Sequence, residues 1–167
     1  APFVGDDVDR ATLDRLCDEA YATFRHPATV PLVQVDDHHF VQELFHGPTL
    51  AFTDVALQLV GRLFDHVLTQ RDERIRIVGA TSGDTGSAAI DGVKGCANVE
   101  IVILYPYGRT SDVQRKQMTT VDSPNVRTVA IEGTFDDCQD LVKAMFNDAP
   151  FRESQRLSAG NSLHWAR

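Results

Sequence analysis

Apolar positions along this chain recur at two spacings, and the alternation between them lays out its elements. Leu13, Leu16, Ala20 and Phe24 fall on one helical face, which predicts a helix from Asp9 to Arg25, capped by Asp9 and ended by Pro27 and Pro31. Pro31–Val35 and Phe40–Phe45 are extended segments around a polar turn, Asp36-Asp37-His38-His39. The two histidines invite a metal site. Neighbours in a strand face opposite sides, so one ion suits both poorly, and a solvated turn is the expectation. After Gly47-Pro48 an amphipathic run continues to Gln70. Val55, Leu59 and Leu63 form its apolar stripe, with Val60, Phe64 and Val67 beside it; Asp54, Gln58, Arg62 and Asp65 give the other face. Thr53 then stands in the first turn of a buried helix.

From Arg74 the pattern changes. Ile75–Ala80, Val99–Tyr105 and Val126–Ile131 are β-branched runs. Helical segments follow each of them: Gly86–Val93, Ser111–Met118 and Phe135–Phe146, the last with Leu141, Ala144 and Met145 toward the core. Such alternation predicts an α/β fold: an open, mainly parallel sheet of about four strands with helices on both faces. It divides the chain into an N-terminal segment, 1–72, carrying the long helix, and a small α/β domain, 73–167. In such sheets ligands sit at the carboxyl ends of the strands.

Composition narrows the classes. A net charge of −8 argues against a general nucleic-acid binder, which would present a basic face. Cys17, Cys96 and Cys138 are far apart and odd in number, which fits a reduced, cytosolic setting better than a disulfide framework or a zinc site. No apolar run approaches the ~20 residues that span a bilayer. Ala1 is not a start methionine and Arg167 falls within a helical pattern, so a fragment of a longer protein is expected.

Three stretches offer chemistry. In Thr81-Ser82-Gly83-Asp84-Thr85-Gly86, hydroxyls, glycine amides and a helix start would suit a carboxylate or phosphate; the same residues also make ordinary turns and caps. It is not a P-loop, because GxxxxGK[ST] is absent. Pro106–Ser111 leads to Arg109, Arg115 and Lys116, which are anion-attracting charges or a solvated helix surface. The third stretch, Leu157–Arg167, joins a short apolar run to the helix-capping residues Asn161 and Ser162.

Taken together, Leu44-Phe45-His46-Gly47-Pro48-Thr49-Leu50-Ala51-Phe52-Thr53-Asp54, Ala80–Ala88, Gln114–Thr120 and Glu132–Cys138 resemble, in order and spacing, the motifs of threonine synthase. That is a pyridoxal 5'-phosphate enzyme with a tryptophan-synthase-β-like fold. The resemblance runs from Leu32 to Arg167. It implies conversion of O-phospho-L-homoserine and water to L-threonine and phosphate. It places Phe52 and Asp84 beside the cofactor, Thr81, Ser82, Gly83, Thr85 and Gly86 around the substrate's α-carboxylate, and Asn161, Ser162 and Arg167 at its phosphate. Where this sequence has His164 the family usually has asparagine. The greater departure is Thr53, where the family has the lysine that holds the cofactor covalently and shuttles protons. A hydroxyl does neither. The family's glycine-rich cofactor-phosphate loop and pyridine-nitrogen partner are not recognisable here. The resemblance therefore leaves two expectations: an incomplete or inactivated threonine synthase, or a non-catalytic module that binds an anionic amino acid. Without the second half, the apolar face of Leu59, Leu63 and Phe64 would lie exposed and promote association.

Overall fold

A computed structural model describes residues 7–158. Helix α1 (Arg10–Tyr21) is capped by the Asp9 carboxylate, which accepts from the Thr12 N–H at 2.9 Å. It stops at Tyr21 rather than Arg25, because the Phe24 N–H turns back to the Tyr21 carbonyl and the Arg25 N–H donates to His46 O. Strands β1 (Leu32–Gln34) and β2 (Phe40–Gln42) pair antiparallel as a separate hairpin, shorter than its sequence pattern suggests. Its apolar side chains Leu32, Val33, Val35, Phe40 and Val41 are exposed. His38 and His39 lie in its turn, where the Asp36 carboxylate takes both backbone N–H groups.

Helix α2 (Asp54–Arg71) leads into β3 (Ile75–Ala80), α3 (Asp84–Val93), β4 (Val99–Pro106), α4 (Asp112–Thr119), β5 (Val126–Ile131) and α5 (Phe135–Asn147). A short helix α6 (Ala149–Ser154), capped by Asp148 and unforeseen in the pattern, then gives β6 (Leu157–Ser158). The main sheet runs β5-β4-β3-β6, with all neighbours parallel. Alternate side chains feed two cores. Ile77, Ile101, Ile103 and Tyr105 pack with Leu68, Ile90, Val93 and Met118 of α2, α3 and α4. Val78 and Leu104 pack with Cys138 of α5 on the opposite face. The expected α/β sheet, covered on both faces, is thus present.

Two helix faces differ from expectation. On α2 the buried positions are Asp54, Leu57, Gln58, Gly61 and Leu68, so Asp54 and Gln58 belong to the inner face and not to the polar one. Each is hydrogen-bonded inside: Asp54 to Thr49 and Gln58 to Asp91. A polar residue satisfied in this way can occupy a core position that hydrophobic periodicity assigns to water. The pivot of that face is Gly61. A Cβ there would stand 1.9 Å from the Gly92 carbonyl oxygen, so α2 and α3 meet backbone to backbone. Leu59, Leu63 and Phe64 are half-buried, and Phe64 packs on the core. On α5, Leu141 and Ala144 are exposed, while Cys138, Val142, Met145 and Phe146 face the sheet. The face is rotated about one position from the expected one, although Met145 is shared.

Gly61→Ala should force α2 off α3. Overpacking of this kind costs about 1–3 kcal/mol, and urea unfolding is expected to show a lower midpoint at unchanged slope. An unchanged midpoint would mean that the helices do not touch this closely.

Candidate functional site

The strand order locates the site before any side chain is considered. From β3 the chain winds through α3 to β4 and through α4 to β5 on one face, then crosses by α5 on the other face to β6, on the far side of β3. The winding reverses between β3 and β6. In open α/β sheets the crevice at the carboxyl ends of two such strands is where ligands bind. The loop leaving β3 there is Thr81–Gly83, and the residues after β6 include Asn161, Ser162 and Arg167, which lie outside the described residues.

Thr81 is buried and organises its loop. Its Oγ1 accepts from the Gly83 N–H at 3.0 Å and the Gly86 N–H at 2.9 Å. Ser87 donates its hydroxyl to Gly83 O at 3.1 Å. The Gly83 and Gly86 amides are thus taken up within the loop by Thr81. The N–H groups of Ser82, Asp84 and Thr85 have no acceptor among the described residues, and all three residues are exposed. With the positive end of α3 behind them, N–H groups of this kind suit an anion. Gly83 has φ 152°, and a Cβ there would lie 2.4 Å from the Gln114 side-chain amide. A side chain there would be strained at this φ and would push that amide aside; the amide also donates to the Asp84 carboxylate.

The second loop, 47–54, is closed by a buried carboxylate. Asp54 accepts from the Thr49 N–H and from the Thr49 hydroxyl, both at 2.8 Å. Burial pushes the Asp54 carboxyl above its ordinary range, against the pull of the two Thr49 hydrogen bonds; Asp91 nearby adds to the rise. Thr53, one residue earlier, is the N-cap residue of α2 but makes no capping bond. It is 2% exposed, and its Oγ1 has no hydrogen-bond partner among the described residues. A buried orphan hydroxyl costs about 1–3 kcal/mol. Phe52 beside it is half-exposed. From α4, Gln117 Nε2 donates to Thr49 O at 3.1 Å.

Gln114, Gln117 and Thr49 therefore join the site, although local sequence reasoning gave them no role. Ser111–Met118 predicts α4 and Gln114–Thr120 carries part of the resemblance, but neither gives the partners of the two amides. Arg109 and Lys116 are exposed, and Arg115 reaches Asp112 at 3.4 Å. A separate 690 Å3 depression lies at the amino ends of the strands and is lined by Arg74, Arg76 and Arg156, away from the two loops. Burial raises the Cys96 thiol to about 11. No described helix is long and apolar enough to cross a membrane.

An open parallel sheet whose winding reverses between β3 and β6 places the chain in the doubly wound α/β class. No protein-family model matches the chain. Threonine synthase from Pseudomonas aeruginosa is 55% identical over 166 residues, covering 99% of this chain and 35% of that protein. The Schizosaccharomyces pombe threonine synthase is 52% identical, covering 93% and 32%. The crystal structure of PLP-bound threonine synthase from Brucella melitensis superposes with a TM-score of 0.93 at 57% identity, covering 99% of this chain and 36% of that one. The chain belongs to the threonine synthase family and spans about a third of the length of these relatives.

The Asp54 carboxyl gives a pH test with a definite sign. Its folded pKa lies above the unfolded value of about 3.9, so in that window the folded state holds a proton the unfolded state has lost. Stability then falls as pH rises through the window and levels off above it. Measured against Asp54→Asn between pH 3.5 and 7, the unfolding free energy of the wild type should decline with rising pH. A relative gain would mean that the Thr49 hydrogen bonds outweigh burial.

Proposed function

We propose that this chain is the part of a cytosolic threonine synthase that grips the amino-acid end of O-phospho-L-homoserine, in an enzyme that forms L-threonine and phosphate. The observation that carries this reading is the cradle of Ser82, Asp84 and Thr85 N–H groups at the β3–β6 switch point. An α-carboxylate needs several fixed N–H donors and benefits from a helix N-terminus. Sequence identity above 50% to two threonine synthases favours their substrate over other anions. Asn161, Ser162 and Arg167 are assigned to the phosphate by motif alone. A guanidinium fork with hydroxyl and amide donors suits a phosphate dianion.

The cofactor of the reading is pyridoxal 5'-phosphate, which supplies an electron sink for a carbanion beside an imine nitrogen. The described residues do not fit its covalent attachment. Thr53 has no amine, and its buried hydroxyl has no partner among the described residues. Asp54 beside it is committed to Thr49 and offers no substitute. On this reading the chain as it stands is inactive in the family reaction and keeps the substrate-gripping loop.

Two measurements on the purified chain test this. Adding O-phospho-L-homoserine should raise the melting temperature; at one hundred times the dissociation constant the gain is about 2.7 kcal/mol. No rise would contradict the substrate assignment. Borohydride with pyridoxal phosphate should leave residue 53 unmodified in this chain and modify it in Thr53→Lys, read by peptide mass. A modified peptide at residue 53 of the unaltered chain would overturn the account of that position.

A further inference from the structure

We infer that α4 is a ruler that fixes the 47–54 and 81–86 loops to one another, with Gln114 and Gln117 as positioning residues. The two glutamines are three apart on a helix and so project from the same face. Gln114 lies over Gly83 and donates to the Asp84 carboxylate; the Ser111 hydroxyl, which also caps α4, holds its carbonyl end at 2.8 Å. Gln117 donates to Thr49 O, and Thr49 donates twice to Asp54. Each amide crosses from α4 to a loop far away in sequence. Met118 on the same helix is 1% exposed and anchors it in the core.

The consequence is coupling. Either loop can move only by breaking its glutamine bond or by carrying α4 with it, and α4 carries the other loop. A ligand that orders the cradle at Ser82, Asp84 and Thr85 thereby restrains the loop that ends at Thr53. Only this last step rests on the functional reading; the coupling itself is a property of the free chain. Linked equilibria of this kind are reciprocal.

Amide hydrogen exchange on the purified chain tests it without a ligand. Gln117→Met should accelerate exchange in 48–54 and also in 81–87, by about two- to tenfold each, the span expected for one lost hydrogen bond. Gln114→Met should do the same in the opposite direction, and the double variant should fall short of the product of the two. Val113→Ala, at a position that is 68% exposed on the same helix, should change neither loop. If each glutamine variant loosens only its own loop, the ruler does not exist. Equal acceleration through 99–106 of β4 would also overturn it, since α4 would then be holding the whole fold. O-Phospho-L-homoserine added to the same samples separates the two claims. Reciprocal exchange without protection of 81–87 by that compound supports the coupling and counts against the functional reading.

Discussion

The site depends on a backbone contact between two helices. Gly61 leaves room for the Gly92 carbonyl, and Gly92 in turn lies close to the Leu57 carbonyl. Gln58 and Asp91 join hands beside this contact at 2.9 Å. Helices that meet without intervening side chains have little freedom to slide, because their packing is close to that of a crystal. Helix α2 starts immediately after Thr53, and α3 starts immediately after Gly83. The contact between the helices therefore determines where both loops run into their helices.

Polar groups buried around this contact are nearly all satisfied, as burial requires. Thr81 takes two amides, Asp54 takes two donors from Thr49, and Asn125 bridges the Val93 and Val99 carbonyls at 2.8 Å each. Thr53 is an exception at the heart of a loop that is otherwise closed. A hydroxyl with nothing to bond is a poor choice for a purely structural position.

The fold was legible in the sequence because strands and helices announce themselves at different periods. Ile75–Ala80 and Val126–Ile131 match their predicted bounds. What escaped has a common physical cause. Asp54, Gln58 and Gly61 carry no hydrophobic signal, yet they line the buried face of α2 through hydrogen bonds and close approach. The roles of Gln114 and Gln117 depend on which distant loops the fold brings to α4, and local spacing holds no record of that. The 81–86 loop could be seen as a cradle or a cap. In the structure Thr81 takes the Gly83 and Gly86 amides, and those of Ser82, Asp84 and Thr85 have no acceptor among the described residues.

The central claim is that these last three amides receive the carboxylate of the substrate. The most direct measurement is the backbone amide chemical-shift change on titrating O-phospho-L-homoserine into the isotope-labelled chain. The largest shifts are expected at Ser82, Asp84 and Thr85. Largest shifts at Arg74 and Arg156, in the depression at the opposite end of the sheet, would contradict it, as would the absence of any shift in the 81–86 loop.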